Sequence, residues 1–589
     1  MSVARYFQDE LDTLRVFGEI FSRYHPKLAS YLSERGTDPD VERLLEGFAL
    51  LTARLREKID DQLPEVTQSL LMLLWPNFLR PVPSMCILQL DPIPGSVTER
   101  AKVSKDFFID STRIDGTSCR FQPTRDTDIL PLAVGEPSHD VSREKSVVTI
   151  PLHTLVNEPL GQIKLDQLRF YLGGSAYSAM TINMWLHRYL ATIKVRSHTS
   201  GDTAQIEISN LKQGGIDNDD DVLPYPKNAF TGYRLLQEFY AFPEKFLFFD
   251  LEQIPVAHVA SEPGFDLVFE FSRPLPPDVR VEKRGFRLHC VPAINLFPHD
   301  AEPISLDGKR VEYPVIPADR DGGEIDIFSI DTVTGWIDDD GPDQGKERRN
   351  YPRFESFEHE IERADDRTSL YFREKVRQHV SGDRLDRLIS FFREDETAMA
   401  GRGETISLSL TCSNGLVPHE LAVGDLSIAG SPIPAFVEVT NITRPTLARY
   451  PVIDGALQWQ LVSALSLNYL SLEDAEALRL MLRIYDFDAL VDRQKERQAH
   501  LRQEGLARIT TTPIDRMFRG LPVRGTRSTI EMRESRFASE GEMFLFATVL
   551  AEFFRLYASV NSFHELIVKG LEKGEEYRWT AHIGNQPLI

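Results

Sequence analysis

Five consecutive polar residues, Asp217, Asn218, Asp219, Asp220 and Asp221, form the most suggestive ligand set in the chain. Hard cations want several oxygen ligands at alternating positions. An EF-hand loop starting at Asp217 needs glycine sixth and a bidentate acid twelfth, where this chain has Val222 and Asn228. The run therefore reads as a solvated acidic turn. Phosphate chemistry fares no better. Gly401 and Gly403 open a GRGETI segment like a dinucleotide fingerprint, but Ile406 stands at the third glycine and no helical pattern follows. Gly308 with Lys309 resembles the end of a phosphate loop, yet Pro303 and Arg310 occupy its first glycine and its hydroxyl position. Ser175 follows two glycines, but Tyr177 fills the place where a nucleophile elbow requires glycine.

The fourteen histidines show no HExxH and no paired spacing. His289 and Cys290 are adjacent soft ligands, and neighbours on a strand point to opposite faces. Cys86, Cys119, Cys290 and Cys412 form no CxxC pair, which argues against a disulfide framework and a cysteine zinc site and for a reducing compartment. No catalytic, cofactor or metal residue is assigned. The competing enzyme reading is a metal-dependent hydrolase assembled from dispersed Asp, Glu and His on a β scaffold. A carbohydrate-binding module would want paired tryptophans, and the five present are far apart. The aromatic run from Phe239 to Leu251 is read as core before interface.

The elements that would position any site come from periodicity. The chain has 589 residues, enough for several domains, with 42% hydrophobic and 26% charged residues. Its net charge of -22 repels phosphate backbones, so nucleic acid is not expected as a partner. No signal peptide is evident, and the nearest apolar run, residues 543–560, is interrupted by Glu552 and Arg555, so a cytoplasmic protein without membrane insertion is expected.

The expected fold is α+β and multidomain, divided into a helical region 1–80, a β-rich domain 81–336, a second β-rich domain 337–456 and a C-terminal α/β region 457–589 with long helices. Val41, Leu44, Leu45, Phe48, Leu51, Leu55 and Ile59 keep helical spacing, with Asp38 before Pro39 as a start signal. Runs such as SVVTIPL at 146–152 and ETISLSLTC at 404–412 predict strands, and residues 217–221 and 338–349 predict exposed loops. Later, Ser471 is placed to cap a helix burying Leu478, Met481, Leu482 and Tyr485. Ser528, Ile530 and Met532 predict a strand, and Phe546, Leu550, Phe553, Phe554 and Tyr557 one face of a long helix.

Several long blocks carry a resemblance. ELDTLRVFGEIFSRYHPKLASYLSERGTDPDVERLLEGFALLTARLREKIDDQLPEVTQSLLMLLWPNFLRPVPSM near the N-terminus, PYPKNAFTGYRLLQEFYAFPEKFLFFDL at 224–251, CVPAINLFPHDAEPISLDGKRVEYPVIPA at 290–318, TCSNGLVPHEL at 411–421, SALSLNYLSL at 463–472 and GEMFLFATVLAEFFRLYASVNSFHEL at 541–566 are similar to the TssF (VasA, ImpG) family of type VI secretion baseplate subunits. Ser413 and Gly415 stand where the family pattern has Thr and Arg. The resemblance implies a structural subunit without catalytic residues, two copies of which join one TssG. With TssK and TssE this unit would form a wedge around the VgrG spike and start tube and sheath assembly. It also implies a fold like the inner wedge proteins of contractile phage baseplates and docking at the cytoplasmic side of the inner membrane. Partner contacts are expected on helices 41–59 and 541–558. Phe544 and Phe546 lie about 200° apart on a helix, so both cannot face one core: either one of them meets a partner at an interface, or the two pack against different parts of the C-terminal domain.

Overall fold

Alternation builds the centre of the molecule. In strand Ser146–Thr154 the residues Val148, Ile150 and Leu152 are buried, and the strand pairs antiparallel with Gly264–Phe271, which buries Phe265, Leu267, Phe269 and Phe271 on the same principle. The structure is a computed structural model. It describes Phe7, Glu10, Leu11, Thr13 and Leu14, then residues 39–156, 159–226, 231–306, 310–318, 325–338, 346–354, 370–379, 384–393, 404–451, 453, 475–486, 493–518, 521–558, 562–579 and 582–583. The expected caps Asp38 and Ser471, and the turn residues Gly308, Lys309, Gly401 and Gly403, lie outside these.

Six of the helices are α1 (Pro39–Leu74), α2 (Ala176–Arg188), α3 (Thr231–Ala241), α4 (Ala475–Tyr485), α5 (Arg493–Gly505) and α6 (Glu540–Tyr557). A second sheet, with strand order 211–213, 248–252, 167–172 and 286–287, shares the central core. Phe242, Phe246, Phe248 and Phe249 are all buried there, so the aromatic run is core.

The C-terminal region joins this same core. Strands Leu506–Phe518 and Leu521–Met532 form an antiparallel hairpin, and Phe563–Gly570 returns parallel to the second after α6 has crossed the sheet. Ser539 caps α6 by accepting the Glu542 N–H at 3.0 Å, while the Glu542 carboxylate accepts from Ala538 N–H at 2.7 Å. The first turn of α6 presses on α2. A Cβ on Gly541 would sit 2.6 Å from the Met180 carbonyl carbon, so only glycine permits the approach.

Two smaller β units carry their own cores. One is a six-stranded sheet, in the order 426–429, 109–111, 120–123, 290–294, 85–92 and 437–441, around Leu88, Leu90, Phe121 and Val291. It curls until its edge strands touch, where Asn441 Oδ1 accepts from Gly424 and Leu426 N–H at 3.0 Å each. The other unit surrounds Ile389, Ile406, Leu408 and Leu410.

These pairings redraw the expected domains. Strand Asp326–Asp338 runs through the 336/337 divide, and Val437–Asn441 pairs with Met85–Pro92, so the two expected β domains share a sheet. Residues 326–338 and 346–350 form a hairpin rather than a loop ending at Arg349. Near its C-terminal end α1 reaches the third unit. Gln68 donates through Nε2 to the Val376 carbonyl at 3.1 Å and accepts the Val376 N–H at 3.4 Å. Val376 lies on Leu370–Gln378, the edge strand of its sheet, and Gln68 supplies both bonds that a further strand would have made there.

Candidate protein interaction surface

The surface begins with the side chains of α1. Residues four and three apart share a helix face, which places Leu44, Phe48 and Leu51 together. They are 74%, 59% and 63% exposed, while Ala49 and Ala53, on the opposite face, are fully buried. The helix thus covers its small side and leaves its large apolar side open. The other end holds it firmly: Leu71, Met72 and Trp75 enter the central core, and the Trp75 ring lies 5.3 Å from Tyr233 and 5.1 Å from Tyr485. Trp75 Nε1 donates to the Tyr225 hydroxyl, and Asn77 Nδ2 to the Pro224 carbonyl at 2.8 Å.

The α6 aromatics take the intramolecular one of the two arrangements open to them. Phe544 is buried against Tyr577 and Trp579, with centroids 6.2 and 5.4 Å away. Phe546 is buried on the other side, 5.6 Å from Phe239 and 5.8 Å from Phe537. The two do face apart, but α6 lies between its own sheet and α3, so the chain itself fills both faces.

The acidic run is solvated only in part: Asp217 and Asp219 are exposed, while Asp220 and Asp221 turn inward. Asp220 is buried, accepts from Gly215 N–H at 2.8 Å, and pairs with Arg125 and with Arg169 at 2.7 Å. Asp221 pairs with Arg234, and burial raises its carboxyl to about 7. Beside them Glu238 accepts from Val222 and Leu223 N–H at 2.9 and 2.8 Å and from the fully buried Lys245. Among the described residues, no group of three or more His, Cys, Asp or Glu is placed to hold a metal ion. The sequence reading missed these cationic partners. The available signal was Lys245 inside PEKFLFF, a cation among aromatics that needs a buried acid.

His289 and Cys290 are buried in the core. His289 Nε2 accepts the Leu130 N–H at 3.1 Å, and burial holds its imidazole down at about 4 and pushes the Cys290 thiol up. A cavity of about 60 Å³ beside them is lined by Arg125, Asp128, Arg169 and Asp250. An open one of about 210 Å³ lies by Glu302, Arg310 and Tyr313, and both fall below the ~300 Å³ where small-molecule sites begin. Ser175 is the cap of α2, accepting the Ser178 N–H at 3.2 Å, and Ile406 is a buried strand residue. No described helix is long and apolar enough to cross a membrane.

A large β-rich chain that holds out a long helix with an open apolar face presents a surface suited to a protein partner. The comparisons identify the family. The chain belongs to the TssF family of the type VI secretion system, whose family model, "Type VI secretion system, TssF", matches residues 2–586. It is 28% identical to the type VI secretion system component TssF1 of Pseudomonas aeruginosa strain PAO1 over 636 aligned positions, covering 99% of each chain. It is similar to a chain of a TssK-TssF-TssG baseplate subcomplex solved by cryo-electron microscopy, with TM-score 0.76 and 31% identity over 93% of this chain and 99% of that one. It also resembles a chain of a type VI secretion baseplate complex, with TM-score 0.65 and 26% identity over the full length of both. The protein is a structural component of the type VI secretion baseplate.

Proposed function

We propose that this chain is an architectural subunit of the baseplate wedge, with no catalytic site of its own. Two copies join one TssG, and this unit combines with TssK and TssE around the VgrG spike to start tube and sheath assembly. The assembly docks at the cytoplasmic side of the inner membrane, and the chain plays the part of an inner wedge protein of a contractile phage baseplate. The observation that carries the reading is the Leu44, Phe48, Leu51 face of α1, an apolar seam of the kind a neighbouring helix covers by knobs-into-holes packing. The TssK-TssF-TssG composition of the similar structure supports TssG and TssK as partners.

The test is copurification with tagged TssG followed by a native mass measurement, with two chains per TssG expected. Substituting Leu44, Phe48 and Leu51 together by Asp abolishes copurification while leaving the thermal melt unchanged. A one-to-one complex refutes the stoichiometry, and a triple variant that still binds TssG refutes the seam. Stoichiometric zinc retained after purification without chelators would instead favour the hydrolase reading.

A further inference from the structure

The third unit, around Ile389 and Ile406, is an insertion into the curled six-stranded sheet. Its described strands, from Phe297–Asp300 to Glu404–Ser413, pair only with one another, while Cys290–Ile294 before them and Leu426–Ala429 and Val437–Asn441 after them belong to the curled sheet. The chain therefore enters and leaves the unit at one place. There Asn295 and Asn414, both buried, clamp the two crossings together. Asn414 N–H donates to Asn295 Oδ1 at 2.7 Å, and Asn295 Nδ2 donates to Asn414 Oδ1 at 2.8 Å. The same two side chains grip the curled sheet at Arg120, whose carbonyl accepts from Asn295 Nδ2 at 2.8 Å and whose N–H donates to Asn414 Oδ1 at 3.1 Å.

Elsewhere the unit rests on α1. Gln68 makes its two bonds to Val376 there, Arg353 Nη1 donates to Met72 Sδ at 3.6 Å, and Met72 and Val376 are both buried in the shared core. The buried carboxylate beneath this seam is satisfied inside the unit. Glu374 pairs with Arg387 and, at 2.9 Å, with Arg353, and Arg387 also donates to the Ile327 and Phe328 carbonyls at 3.0 and 2.8 Å. Glu374 thus keeps both partners wherever the unit goes. On the other side of the seam Arg80 lies over the Phe328 ring, 5.1 Å from its centroid. Burial, and after it the like charge of Arg353, lowers the Arg80 guanidinium to about 10 against the pull of Asp331, so closing the seam carries an electrostatic cost.

We infer that the third unit swings as one body about the Asn295–Asn414 clamp, and that Gln68 is the latch that holds it against α1. Its core and its Glu374 pairs travel with it, and opening bares only the seam of Met72, Val376 and Phe328. Gln68 sets the balance, because its carboxamide answers two backbone groups that are otherwise satisfied only when water reaches them. The motion belongs to the chain alone and needs no TssG.

Thiol labelling of the full-length chain under native conditions, read cysteine by cysteine by peptide mass spectrometry, tests it. The four native cysteines are buried, Cys412 in the core of the third unit and Cys290 in the central core. M72C reacts slowly, at a rate set by the open fraction, and adding Q68A speeds it at least about tenfold. V376C reports the same ratio from the other side of the seam. Cys412 and Cys290 keep their wild-type rates in Q68A, and so does a thiol placed by L71C, which α1 buries in the central core. Seam thiols that react equally fast with and without Q68A overturn the proposal. So does a parallel rise at Cys412, which would mean that the unit unfolds rather than swings, or at L71C, which would mean that α1 itself leaves the core.

Discussion

Lys245 is an ammonium wholly removed from water, held by the Glu238 carboxylate, itself wholly buried. Such a pair adds little over an apolar substitute, but half of it left alone is costly. K245M is expected to destabilise by about 3 to 5 kcal/mol in urea unfolding, and E238Q on top of it to recover much of that. Three buried imidazoles, those of His187, His289 and His564, weaken the fold in acid, while the raised carboxyl of Asp221 works the other way. His289 and His564 are 7% and 3% exposed, and burial holds both imidazoles at about 4. The unfolded chain takes up those protons near pH 6.5, so the histidines' contribution is intact above that pH and is lost as pH falls from about 6.5 to 4. Each site removes about 2 kcal/mol at pH 5. Comparing urea midpoints at pH 5 and 7.5 checks this, and H289N flattens the dependence. Asparagine tolerates the left-handed backbone there, where φ is 56°.

At the scale of elements, α6 and α1 answer substitution in opposite ways. F544D and F546D each bury a charge against aromatic rings, so both are expected to unfold the C-terminal region, seen as lost near-UV circular dichroism. S539A removes a helix cap and lowers stability by about 1 kcal/mol. These helices, the strand at 146–152 and the strand ending at Met532 were legible in the sequence, because burial on one face writes a period into the residues. The same period was silent about what covers each face. It drew α1 and α6 alike, and only tertiary structure separates a stripe filled by Phe239 and Trp579 from one left open at Phe48. Asp220 and Asp221 of the acidic run were misread because their partners Arg125, Arg169 and Arg234 lie on other elements. The pairing of Met85–Pro92 with Val437–Asn441 spans some 350 residues and leaves no local mark.

For the molecule as a whole, the chain's two ends hold one core. Trp75 from the N-terminal helix touches Tyr485, while α6 packs on α2 and α3. Deleting residues 475–589 would strip a face of the central core, so the remaining chain is expected in the insoluble fraction rather than as a smaller folded protein, judged by solubility and size exclusion. Gln68 carries a last consequence. Its carboxamide imitates a neighbouring strand at Val376 and, with residues 352–354 bonded to Phe372 on the same edge, closes that side of the sheet. Q68L would leave the Val376 N–H and carbonyl as a bare template, and templates of this kind recruit identical chains in register. The variant is then expected to melt near the wild-type temperature yet deposit thioflavin-positive fibrils over days, which makes one glutamine a guard against amyloid in a protein built to assemble.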